Sequence, residues 1–246
     1  METGTFWEHL DVLRWVIVRS LVVTVAFAVV AFCLKDWLFA VVLAPVSSEF
    51  VTFRLMGVEP FSLHLMNTGL TEPFMTHVKV ALYSGLLCAA PYVVFELFRF
   101  VSPGLYDRER RAARWVAGSA CMMFFLGTLL NYFLIFPLTV RFLGTYQVSD
   151  VVDNMLSLQS YIDTLLSMSL VIGVVFELPV LCVILGRMGL VNSRLMARYR
   201  RHAVVAILVA SAVITPTTDV FTLFIVALPI WLLYEVSILL VPGPRA

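Results

Sequence analysis

Two carboxylates stand where a negative charge needs a reason. Glu177 lies inside an apolar run, Gly173-Val174-Val175-Phe176-Glu177-Leu178-Pro179. An ionised acid at that depth costs about 2.5–3.5 kcal/mol on insertion scales. The group must therefore face a wet or polar cavity, or be kept neutral. Pro179 deletes one intrahelical hydrogen bond and predicts a kink beside it. Glu177 then has two roles open to it: a structural tie to a neighbouring helix, or a contact or pathway residue.

Glu109 is the second. It sits in Phe100-Val101-Ser102-Pro103-Gly104-Leu105-Tyr106-Asp107-Arg108-Glu109-Arg110-Arg111, among Arg108, Arg110, Arg111 and Arg114. Pro103-Gly104 makes a turn, and the charges then open a helix. The segment can be a basic loop whose acid tempers repulsion, or a carboxylate offered to a cationic peptide, because carboxylates accept guanidinium in bidentate fashion. A third polar stretch, Phe6-Trp7-Glu8-His9-Leu10-Asp11-Val12-Leu13-Arg14, reads as an amphipathic interfacial segment. No metal spacing, G-x-S-x-G, H-E-x-x-H, Walker A or paired-carboxylate arrangement occurs. The expectation is a protein with no cofactor and no metal that is not an enzyme. Cys33, Cys88, Cys121 and Cys182 all lie in apolar runs and read as small hydrophobes.

The elements that must carry these residues are membrane helices. Of 246 residues, 61% are apolar and 13% charged, against about 25% charged in soluble domains. The mean hydropathy is +0.96. A water-soluble enzyme and a nucleic-acid binder are both excluded on that ground. About 20 apolar residues cross 30 Å of hydrocarbon, and the chain offers six such segments, at about 15–34, 76–98, 115–140, 164–186, 203–214 and 220–240. The last two are short or interrupted. Thr215-Pro216-Thr217-Thr218-Asp219 turns tightly between them, which predicts a hairpin. Arg19 can snorkel from the first span. The outward stretches 35–75 and 141–163 are long enough for short helices. The fold class expected is all-α, a polytopic membrane protein forming a single membrane domain over 1–246.

Orientation follows from the cations. Thirteen of the 17 Lys and Arg residues, from Arg14 to Arg245, fall on one side, and Lys35, Arg54, Lys79 and Arg141 on the other. Both termini are expected in the cytoplasm. Glu2, Glu8 and Asp11 oppose a removable secretory leader, whose first residues would be basic.

Together these segments resemble the TatC family, the polytopic receptor of the twin-arginine protein translocase, over nearly the whole chain. The likeness runs through His9-Leu10 and Leu13-Arg14, Ala44-Pro45, and Phe100-x-x-Pro103-x-Leu105-x-x-x-Glu109-Arg110-Arg111. It continues in Tyr132 with Phe136-Pro137-Leu138, Phe176-Glu177-x-Pro179, Thr215-Pro216 with Asp219, and Pro229 with Tyr234-Glu235. The resemblance implies a glove-shaped, concave bundle of six helices, the fifth and sixth short. It implies a receptor for signal peptides bearing two adjacent arginines, working in an oligomeric complex in the inner membrane. Single-span TatA- and TatB-type subunits would be its partners, alongside lipid, with no nucleic acid, and the proton-motive force would drive export of folded proteins.

Residue by residue, the resemblance gives Glu109 as the acid that meets the arginine pair, with Phe100 and Pro103 shaping that site. Glu177 and Tyr132 become intramembrane polar or partner contacts, and Asp219 and Pro45 outward-turn residues. One position departs. The family's Leu-x-Glu-Leu-Arg reads Leu10-Asp11-Val12-Leu13-Arg14 here, so Val12 replaces the second acid. Either Asp11 or Glu8 takes its place, or Glu109 acts alone, or the copy reads signals differently or is inactive. Asp11 points about 100° away from position 12 on a helix. The alternative from another class is a proton-coupled small-solute transporter with Glu177 as its carrier.

Overall fold

The computed structural model describes residues 6–57, 61, 63–101, 107–146, 155–187, 189–215, 219–241 and 243. Its elements follow the apolar runs. Helix α1 (Phe6–Cys33) contains neither Gly nor Pro and is continuous, so the amphipathic start and the first span form one helix. A single residue, Leu34, separates it from α2 (Lys35–Leu43). Pro45 then starts a 3-10 turn at Ala44–Val46, and α3 (Val51–Leu55) follows. Next come β1 (His64–Met66), α4 (Glu72–Val101) and α5 (Asp107–Leu130). A π-helical turn at Asn131–Ile135 joins α5 to α6 (Phe136–Thr145). After these lie β2 (Met155–Ser157), α7 (Leu158–Val175), α8 (Leu178–Arg187), α9 (Ser193–Arg198), α10 (Arg200–Ile214) and α11 (Val220–Leu240).

Six described stretches are long and apolar enough to cross a bilayer: Leu10–Cys33, Lys35–Leu55, Glu72–Glu96, Gly118–Thr145, Leu158–Arg187 and Val220–Leu240. The protein is a six-helix, multi-pass membrane protein. Helix α10 has 15 residues, about 22 Å at 1.5 Å per residue, and is shorter than a full crossing. Lys35–Leu55 reaches the length by summing the short pieces α2 and α3 across Pro45. Strands β1 and β2 pair in parallel, His64 opposite Met155 and Met66 opposite Ser157, and tie the segment after α3 to the segment after α6. Three residues each are too few for period-two alternation to announce a strand in the sequence.

The chain divides into two compact units, Met1–Val42 with Gly69–Met122 and Leu43–Thr68 with Met123–Ala246. The division falls inside α2, inside α5 and in the short connection between β1 and α4. In the first unit α1 and α4 pair along their length. Gly85 lets Ala28 approach so closely that a Cβ at Gly85 would lie 2.6 Å from the Ala28 nitrogen. Towards one end His77 stacks on Phe32 with centroids 4.0 Å apart, and Phe39 meets it edge-on. Ascending positions on α4 thus face descending positions on α1, and the two helices run antiparallel.

In the second unit Gly127 accommodates the Phe176 ring and Gly173 the Phe124 ring, so α5 and α7 interlock. Phe136 and Tyr161 meet edge to face at 5.0 Å. Met196, Ile238 and Val241 form a small buried cluster with Cys182, Val191 and Tyr234 against it. Three buried hydroxyls bond within their own helices, Thr128 to the Phe124 carbonyl, Thr139 to Ile135 and Ser237 to Leu233, whereas those of Ser211 and Thr222 have no hydrogen-bond partner among the described residues. The self-satisfaction of the first three is what hydrocarbon demands of polar side chains. None of the four cysteines forms a disulfide among the described residues.

Candidate functional site

Antiparallel pairing of α1 and α4 brings residues 11–19 opposite 96–100. There the two helices enclose a cavity of about 480 Å³, within the usual range of ligand pockets. Val12, Val16, Trp15 and Phe100 supply its apolar wall; Asp11, Glu96 and Arg19 supply its charges. Glu96 is only 4% exposed. Tyr92, one turn earlier on α4, donates its hydroxyl to Glu96 Oε1 at 3.3 Å. Val12 and Trp15 are half or more exposed, so the cavity opens between side chains of α1.

Two of the expected peptide-site residues, Asp11 and Phe100, meet in this cavity. Glu109 lies in the first turn of α5 and Glu8 in the first turn of α1; the placement of both side chains lies outside the described residues, as does Pro103. Glu96 was visible in the sequence only as an acid near the end of the second span. The signal that could have singled it out is its spacing. Tyr92, Glu96 and Phe100 recur at i, i+4 and i+8, one above the other on a helix face.

The intramembrane group is built differently. Pro179 has no N–H to offer the Val175 carbonyl, and the helix breaks at Phe176–Glu177 between α7 and α8. The Phe176 amide closes on Ile172 and the Glu177 amide on Val174. Glu177 is half-buried, and its Oε1 is buried with no hydrogen-bond partner among the described residues. In the same unit Asn131, fully buried, donates from Nδ2 to Ser169 Oγ at 2.7 Å. Sequence reasoning missed this pair, because an isolated Asn and Ser 38 residues apart carry no local pattern. Tyr132 lies in the π-turn, edge-on to Phe50 at 5.6 Å and to Phe133 at 4.9 Å.

Asp219 caps α11, its Oδ1 accepting the Thr222 amide at 2.7 Å. Such a cap satisfies one of the orphan donors of a helix start. Pro45 is buried in its 3-10 turn. Near the far end of α11, Glu235 pairs with Arg200 of α10 at 2.8 Å, and the Tyr234 hydroxyl donates to the Met196 carbonyl at 2.8 Å. Among the described residues no group of three or more His, Cys, Asp or Glu side chains could hold a metal.

Comparison with known proteins places this geometry. The model of the TatC family, Sec-independent protein translocase protein (TatC), matches residues 8–229. A Sec-independent protein translocase protein TatC of Desulforapulum autotrophicum is 35% identical over 97% of this chain and 84% of its own length. That of Deinococcus radiodurans is 33% identical over 98% of this chain and 86% of its own. Among solved structures, a crystal structure of the twin arginine translocase receptor TatC superposes with a TM-score of 0.76 at 29% identity, covering 94% of this chain and 97% of that one. A second, in DDM, gives 0.78 at 28% identity, covering 95% and 99%.

Proposed function

The chain belongs to the TatC family, and from that premise we propose that it is the signal-peptide receptor and scaffold of a twin-arginine translocase. In this role it exports folded proteins and catalyses no reaction. The likeness to the receptor crystal structures over 94% of the chain carries the proposal. The arginine-rich ends of the helices face the cytoplasm, as do both termini, and the membrane is the inner one. A twin-arginine signal peptide docks its cationic residues at the end of α1 and α4, where Glu109 begins the next helix and Phe100 and Asp11 border a cavity. Pro103 shapes the turn, and Glu8 lies one turn before Asp11.

Carboxylates suit this task. Each binds a guanidinium through two parallel charge-assisted bonds, which an ammonium cannot reproduce. The apolar stretch of the signal peptide follows the bundle into the membrane. Glu177 and Tyr132 contact partner helices of TatA or TatB type, which would supply a donor to the Glu177 carboxylate oxygen that has no hydrogen-bond partner among the described residues. Asp219 and Pro45 set the outward turns. The proton-motive force supplies the drive. The relatives and structures described above favour this reading over a solute transporter using Glu177.

The test is export of twin-arginine substrates by cells whose only copy is this chain, wild type or Glu109→Ala. Export should fail in the variant while the protein still accumulates in the membrane. Undiminished export would remove Glu109 from the docking site.

A further inference from the structure

We propose that Glu96 is the second carboxylate of the arginine site, taking the part that the segment before the first span does not supply. The inference rests on the receptor reading above and deepens it. Val12 and Glu96 line the same cavity, so a carboxylate on α4 borders the space that a carboxylate at position 12 would also border. Asp11 borders it too but is exposed, whereas Glu96 is 4% exposed. The buried acid is the better-insulated one, and a charge is worth more where water is excluded.

The surroundings select guanidinium. Trp15 and Phe100 stand in the same wall, and aromatic faces stack on arginine and attract its charge. Tyr92, one turn earlier on α4, donates to Glu96 Oε1 and restrains the carboxylate of this lining residue. Among the described lining residues two acids, Asp11 and Glu96, stand against one cation, Arg19, a balance that favours a cation over an anionic headgroup. Arginines adjacent in an extended peptide point to opposite sides. Two such side chains call for carboxylates on separate elements, and Glu96 belongs to α4 and Glu109 to α5.

The experiment titrates the full-length chain in detergent with a fluorescent signal peptide carrying Arg-Arg, and with the same peptide carrying Lys-Lys. The proteins are wild type, Glu96→Gln, Glu96→Gln with Val12→Glu, and Glu109→Ala. Glu96→Gln should weaken Arg-Arg binding about tenfold or more and change Lys-Lys binding little, collapsing the preference. Adding Val12→Glu should restore most of it, which a lost structural contact would not permit. Wild-type Arg-Arg affinity in Glu96→Gln, with loss in Glu109→Ala, overturns the role of Glu96 and leaves the receptor reading standing. A loss that Val12→Glu does not restore assigns Glu96 to structure and also overturns it. Unchanged peptide binding in Glu96→Gln, with co-purified lipid phosphate lost on Arg19→Gln, would make the cavity a headgroup site instead. If even the wild type fails to prefer Arg-Arg, the receptor reading falls, and this inference with it.

Discussion

Gly85→Ala tests whether the closeness of α1 and α4 builds the cavity at their ends. The added Cβ would lie 2.6–2.7 Å from the nitrogen, Cα and Cβ of Ala28, against 3.4–4 Å for ordinary contact. Two of those three atoms are backbone, so no rotamer can relieve the overlap. The helices must part by about 1 Å, and overpacking of this kind costs about 1–3 kcal/mol. Alanine returns about 0.5–1 kcal/mol through helix propensity. The net loss is then about 0.5–2 kcal/mol. Thermal unfolding of the purified protein in detergent should show a midpoint lowered by a few degrees, with weaker twin-arginine peptide binding. Gly118→Ala is the control, because nothing lies within 4 Å of its added Cβ; its midpoint should hold or rise slightly. If Gly85→Ala and Gly118→Ala unfold together and bind peptide equally, close approach at Gly85 does not set the site.

Ser169→Ala leaves the Asn131 amide buried without its 2.7 Å acceptor and should cost about 0.6–2 kcal/mol in detergent unfolding, while Asn131→Leu with Ser169→Ala should recover most of it. Asp219→Ala removes the cap on the Thr222 amide and should lower stability by about 0.5–2 kcal/mol, read as faster hydrogen exchange at that amide; Asp219→Asn should not. Arg200→Gln breaks an ion pair whose side chains are 52% and 26% exposed. Its effect should stay within about 1 kcal/mol and vanish in high salt.

What the sequence made legible was whatever repeats over a helix length. Apolar runs marked α4 and α10 to within a few residues, and 220–240 coincides with α11, whereas α1 begins well before the run at 15–34 and the run at 164–186 is split between α7 and α8. Asp219 at a helix start and Pro179 at a helix break are single residues whose chemistry acts locally, so both positions could be read in advance. The cavity was hidden because it depends on which face of α1 meets which face of α4, set by the Gly85–Ala28 contact between residues 57 apart. The β1–β2 pairing and the Asn131–Ser169 bond were hidden for the same reason. Val12 stood out only against a family pattern, and Glu96 not at all, until the helices were seen side by side.

One chemical cause produces two different sites within the second unit. Proline at position i leaves the carbonyl of i−4 without its donor, and inside a membrane that carbonyl needs another. Pro137 does this to Phe133, in the π-turn that precedes α6. There the Thr52 hydroxyl, from α3, donates to the Phe133 carbonyl, and α3 is pinned to the π-turn by the repair. Pro179 does the same to Val175, and the helix opens at Phe176–Glu177. At that second break a carboxylate oxygen is itself buried with no partner among the described residues. The first break is closed by a donor from its own chain, whereas the second keeps an acceptor in reserve. A neighbouring helix bringing a hydroxyl or amide into the membrane would gain more at Glu177 than at Phe133. The two prolines therefore differ in outcome: one break is closed from within the chain, and the other leaves a carboxylate oxygen without a partner among the described residues.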